Sequence, residues 1–158
     1  MKHLFLVRPG EFSEEYDKIT RDGRQKLLEL GASIKQVINN SSIYIITSPA
    51  SRASDSAEEL AFNLNLPEDA VERNPYFSNF NNEEWPQTYK RSMTIIGSKS
   101  ELADGIILVS NHRIIEAIFC YVMNQKIGKI SIIANPWPGT GEHIDLEKKI
   151  CERIPKRR

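Results

Sequence analysis

Four short apolar runs punctuate the chain: Leu4-Phe5-Leu6-Val7, residues 43–47, Ile106-Ile107-Leu108-Val109 and residues 130–134. None alternates apolar with polar positions. Runs that are apolar throughout suit strands buried on both faces, as in a parallel sheet covered by helices. Between them the period becomes helical. Leu27, Leu30, Ile34, Val37 and Ile38 recur on one helix face. They predict a helix over residues 20–38 with Thr20 as N-cap, ended by Asn39-Asn40-Ser41-Ser42.

Ala53, Ala57, Leu60, Ala61 and Leu64 form a second stripe. Ser48-Pro49 is expected to open that helix, with serine as cap and proline in the first position. Residues 85–102 predict a third helix begun near Pro86, weakened by Gly97 in its C-terminal half. Residues 112–123 predict a fourth. Residues 74–85 read as a loop, Asn135-Pro136-Trp137-Pro138-Gly139 as a turn, and residues 141–146 as a last, edge strand. Strands alternating with helices predict an α/β fold of three layers, a mostly parallel sheet with helices on both faces. No linker composition interrupts the chain, so residues 1–158 are expected to form a single domain.

Charge narrows the classes of partner. The chain has 21 Lys+Arg against 21 Asp+Glu, a formal net charge of zero, where a general nucleic-acid binder carries a basic excess. The basic end Lys156-Arg157-Arg158 reads as a solvated terminus. The apolar runs fall far short of the ~20 residues a spanning helix needs, so no membrane partner is expected. With charged Arg8 and Glu11 so soon after Met1, no signal peptide is expected. The two cysteines, Cys120 and Cys151, lie far apart, and a reduced, cytoplasmic protein is expected. The three histidines and two cysteines show no metal-ligand spacing, so neither metal nor cofactor is expected.

Chemistry-bearing residues gather just past three predicted strands. Arg8 follows the first, Ser48-Pro49-Ala50-Ser51-Arg52 the second, and Ser110-Asn111-His112 the third. In a parallel sheet these ends share one rim, where open α/β sheets bind their ligands. Two guanidinium groups, an imidazole and two helix N-termini would then surround one pocket. Arginine offers a planar fork to phosphate. In a neutral protein this points to an oxyanion, most simply a phosphate held by Arg8, Arg52 and His112. Taken singly, Arg8 reads as a surface residue before a turn, Arg52 as a solvated helix residue and His112 as a helix cap. His3 lies too far upstream to reach the rim, and His143 is expected to be structural.

Leu6-Val7-Arg8-Pro9-Gly10-Glu11 resembles the opening motif of the histidine phosphatase superfamily, the phosphoglycerate-mutase-like proteins, which reads Leu-Val-Arg-His-Gly-Glu. The stretch Thr47-Ser48-Pro49-Ala50-Ser51-Arg52-Ala53-Ser54-Asp55-Ser56-Ala57-Glu58 is similar to that family's second motif. Residues 106–112 resemble the strand that delivers its second histidine, here His112. Thr20-Arg21-Asp22-Gly23 lies where the family often has Leu-Thr-x-x-Gly. The motifs follow in the family's order along most of the chain. The short length resembles the small phosphatase branch more than the mutases. The resemblance implies a phosphoglycerate-mutase-like fold, a phosphorylated ligand and no cofactor.

The chain departs from the family where the chemistry begins. The family's nucleophilic histidine corresponds to Pro9. Proline has no side-chain lone pair and no backbone N–H, so it can neither attack phosphorus nor donate to it. With Gly10 it fits the central positions of a type II turn. No carboxylate matches the family's acid around Tyr76-Phe77-Ser78-Asn79-Phe80. Glu83 and Glu84 follow as weak candidates, each with a plain solvated reading. Arg113 stands where many relatives have glycine.

Three readings compete. The first is a phosphatase-like protein that binds a phosphorylated small molecule or phosphoprotein and is catalytically impaired. The second is an active phosphomonoesterase or phosphoprotein phosphatase in which His112 or an activated water does the work. The third is a non-catalytic protein-interaction domain. Oligomeric state is not legible.

Overall fold

The computed structural model describes residues 1–39, 41–78, 84–124 and 136–156. The predicted strand at 130–134, Glu83 and the terminal arginines lie outside these residues. The chain opens with β1 (His3–Val7) and a short hairpin of β2 (Phe12–Ser13) and β3 (Lys18–Ile19). Then come α1 (Arg21–Ile38), β4 (Ile43–Thr47), α2 (Ser51–Leu64) and β5 (Val71–Arg73). The rest is α3 (Trp85–Ser98), β6 (Gly105–Val109), α4 (His112–Val122), β7 (Gly141–Asp145) and β8 (Ile150–Ile154).

The main sheet has six strands in the order β5-β4-β6-β1-β7-β8. The first four run parallel, and β7 and β8 run antiparallel to their neighbours. Successive strand residues point to opposite faces, and the two cores follow from that. Phe5, Val7, Ile45, Ile107 and Val109 meet Leu27 and Leu30 of α1 and Ala57 and Leu60 of α2. Leu4, Leu6, Ile46, Ile106 and Leu108 meet Ile96 of α3 and Ile115 and Ile118 of α4. Both layers of side chains are nearly fully buried. This is the predicted three-layer, mostly parallel arrangement.

Several local expectations need correcting. The strand predicted at the edge is interior: β7 lies between β1 and β8. The edge strand β8 carries Glu152 and Arg153 and so lacks an apolar run. Its polarity is accommodated by an ion pair, in which Arg153 Nε donates to the buried carboxylate of Glu142 at 2.8 Å. The second helix starts at Ser51 with Ala50 as its uncapped N-cap, not at Ser48. Ser48 instead prolongs the strand, its N–H donating to Val109 O at 3.4 Å. The third helix ends at Ser98, four residues before the predicted end. Thr20 does cap α1, accepting from Gly23 N at 3.0 Å.

The turn after β1 is also built differently. Gly10 does not have the positive φ a type II turn requires; Gly139 does, at φ 75°. Gly139 belongs to the turn before β7, and its N–H donates to the carbonyls of Arg8 (3.2 Å) and Pro9 (3.1 Å). Close approach explains the neighbouring glycines. A Cβ on Gly23 would sit 2.5 Å from Glu11 O, a backbone atom that cannot yield. Gly23→Ala is therefore expected to lower stability by about 1–3 kcal/mol, the usual cost of overpacking, as read by urea denaturation. An unchanged midpoint would show that the β1 turn and α1 do not need this contact.

At the opposite end of β1, His3 Nδ1 lies 3.0 Å from His143 Nε2, and the His143 ring stacks on Phe5 at 4.8 Å between centroids. His143 is thus buried against the sheet. Burial first, and then the neighbouring His3, push its pKa below the ordinary 6.5. The unfolded chain then takes up a proton near pH 6.5 that the folded chain refuses, so stability falls as pH drops below that value. The loss is expected to appear between pH 7.5 and 5.5. Denaturation at the two pH values should show a smaller drop for His143→Asn; an equal drop in both proteins would contradict it.

Candidate active site

Three strand ends are level at one rim. Val7 and Thr47 both pair in register with Val109. Arg8, Ser48 and Ser110 are thus each the first residue past its strand, and Ser110 N donates to Val7 O at 3.1 Å. A cleft of ≈ 860 Å³ opens above this rim, and Arg8, Pro9, Arg52 and His112 all line it.

Arg8 is half-buried, and its Nη1 donates to Pro136 O at 3.2 Å. Burial, and then the charge of Arg52, push its pKa below the ordinary arginine value. Arginine still keeps its proton in proteins. Burial is the larger cause, and repulsion from Arg52 adds to it in the same direction. A serine links the turn after Arg8 to the first turn of α2. Ser56 Oγ accepts from Gly10 N at 3.0 Å and donates to Arg52 O at 2.7 Å. Arg52, in the first turn of α2, lies with its guanidinium carbon 5.7 Å from the centroid of the Phe12 ring.

His112 occupies the first position of α4 because Asn111 caps that helix, its Oδ1 accepting from Ile114 N at 3.2 Å. The rim beneath is anchored by the buried Ser110, whose Oγ donates to Phe77 O at 2.9 Å. His112 is exposed, with Nε2 3.7 Å from Oε2 of the nearly buried Glu116. Sequence reasoning missed Glu116; its signal was the spacing of four residues, one helical turn. Phe12 was missed as well, because a two-residue strand gives no periodic signal.

The acid candidates fare differently from the cations. Glu84 is exposed at the head of α3, its N–H donating to Gln87 Oε1 at 3.3 Å, and it does not line the cleft. Glu11 does line it, paired with Lys26 Nζ at 2.8 Å. Arg113 does not line it. Pro9 is buried and presents a saturated ring to the cleft. The described lining therefore offers two guanidinium groups, one imidazole and the uncapped start of α2, all suited to an oxyanion. Among the described residues no group of three or more His, Cys, Asp or Glu could hold a metal ion, and no helix is long and apolar enough to cross a membrane.

No protein-family model matches the chain, and no curated protein matches its sequence. Solved structures do match its fold. YhfR from Bacillus stearothermophilus is 12% identical with a TM-score of 0.70, covering 98% of this chain and 96% of that one. A complex of mycobacterial glucosyl-3-phosphoglycerate phosphatase with VO3 is 12% identical with a TM-score of 0.70, covering 99% of both chains. A mutant phosphoserine phosphatase from Entamoeba histolytica in complex with phosphoserine is 13% identical with a TM-score of 0.66, covering 98% and 95%. At these identities the likeness shows the fold: the chain has the phosphoglycerate-mutase-like α/β fold of these neighbours.

Proposed function

We propose that the cleft binds a phosphate monoester and that Pro9 leaves it without efficient turnover. One observation carries this reading. Arg8, Arg52 and His112, from three separate strand ends, line the same cleft as a proline standing where the resembled family has its nucleophile. A phosphate dianion would relieve the mutual repulsion of the two guanidinium groups and accept bidentate bonds from them. The N–H groups at the start of α2 add partial positive charge. His112, which lines the cleft, would donate to an ester or phosphoryl oxygen. The structural neighbours include proteins solved with VO3 and with phosphoserine, which agrees with a phosphorylated ligand. Covalent catalysis, however, needs an atom that attacks, and Pro9 has none.

The test is paired. Calorimetric titration with inorganic phosphate should show binding, while p-nitrophenyl phosphate turnover should stay at the buffer background. Binding that is absent at millimolar phosphate, with no phosphate-dependent rise in Tm, would leave the reading of a non-catalytic interaction domain with an empty pocket.

The His112–Glu116 pair favours a second reading, a slow phosphomonoesterase. A carboxylate behind an imidazole is the arrangement a general base uses to activate water. Wild-type turnover abolished by His112→Ala would establish it at the expense of the first.

A further inference from the structure

The cleft is much larger than a phosphate group requires. At ≈ 860 Å³ it falls in the upper part of the ~300–1,000 Å³ span of small-molecule sites, so the ligand brings a body as well as a charge. The cations are collected on the strand-end side. Around them Pro9, Phe12, Ala50, Ala53 and Pro138 supply an apolar lining.

Three polar side chains in that lining are engaged with the protein itself, while Ser48 and Ser78, each with a hydroxyl, also line the cleft. Thr20 Oγ1 accepts from Gly23 N at 3.0 Å as the cap of α1. Asn111 Oδ1 accepts from Ile114 N at 3.2 Å as the cap of α4. Glu11 is held by Lys26 at 2.8 Å. A sugar or polyol body lying against these apolar residues would give up water there without replacement. Phe12 is the aromatic member of the lining. It is held in place by pairing with the buried Ile19 across the hairpin and by packing on the core beneath. The Arg52 guanidinium lies 5.7 Å from its ring. Aromatic faces and guanidinium planes both favour a flat ring stacked beside them.

Resting on the phosphate reading of this cleft, we propose that it selects phosphate monoesters whose alcohol is an apolar ring, with Phe12 as the specificity-determining wall. The same groups discriminate against esters of polar alcohols. The wall acts on the ester body, whereas the cations act on the phosphoryl group.

The experiment compares three probes by calorimetry on the intact protein: phenyl phosphate, glycerol 2-phosphate and inorganic phosphate. Phenyl phosphate is expected to bind about tenfold or more tightly than glycerol 2-phosphate, as burial of a ring's apolar surface allows. Phe12→Ala should narrow that ratio to about threefold or less, and Phe12→Leu, which keeps the hairpin packed, should lie between. Wild-type affinities for the two esters within twofold would overturn the inference while leaving the phosphate pocket standing. So would an unchanged ratio in a folded Phe12→Ala protein. Failure of all three probes to bind would overturn this inference together with the reading it rests on.

Discussion

Pro9→His is expected to turn a protein with background p-nitrophenyl phosphate turnover into a measurable phosphatase. Losing a nucleophile costs on the order of 10⁶ in kcat where the effect has been dissected in subtilisin. Restoring one here should recover part of that, about 10²-fold or more in kcat/KM. Position 9 is buried, lines the cleft directly after Arg8, and has its carbonyl held by Gly139 N–H at 3.1 Å. That backbone bond does not depend on the ring, so an imidazole can be introduced without dismantling the turn. The recovery is expected to be incomplete, because Glu84 does not line the cleft and Glu11 is engaged by Lys26. A Pro9→His protein that folds, binds phosphate and still shows no turnover would refute the view that proline alone blocks the chemistry.

Arg52→Ala is expected to weaken phosphate binding by about 100-fold, the equivalent of ~3 kcal/mol from two charge-assisted hydrogen bonds. Its effect on the ligand-free protein should be small, within about 0.5 kcal/mol, as for an exposed side chain. Removing Arg52 even relieves the half-buried Arg8 of a like charge. The contrast between affinity and stability separates a binding role from a structural one. Calorimetry gives the first and urea denaturation the second. Phosphate affinity within threefold of wild type would mean that Arg52 stacks on Phe12 without serving the anion.

The layered fold was legible because β1, β4 and β6 are apolar at nearly every position, and because the stripes of α1 and α2 repeat at helical spacing. The site cations were legible for a related reason. Arg8 follows its strand directly, Arg52 and His112 lie in the first turn of the helix after theirs, and parallel strands in matching register bring those ends to one rim. What escaped notice was polar or short. The edge strand β8 hid behind Glu152 and Arg153, which an edge tolerates because one side faces water. The β2–β3 hairpin is two residues per strand and carried Phe12 into the cleft unannounced. Ser48 looked like a helix cap by residue type, but its backbone serves the sheet, and tertiary hydrogen bonding outweighed local preference. Gly10 looked like a turn glycine, yet what it provides is room: a Cβ there would meet Leu27 Cδ1 at 3.2 Å. Glu116 could have been found only by placing His112 at a helix start and looking one turn on.

The most direct measurement is a crystal structure of the protein soaked with orthovanadate. The account predicts one oxyanion in the cleft, with Arg8, Arg52 and His112 each about 2.7–3.0 Å from its oxygens and the Pro9 ring against it with no bond formed. An anion held by other residues, or a cleft in which the three side chains turn to separate places while vanadate binds elsewhere, would contradict it.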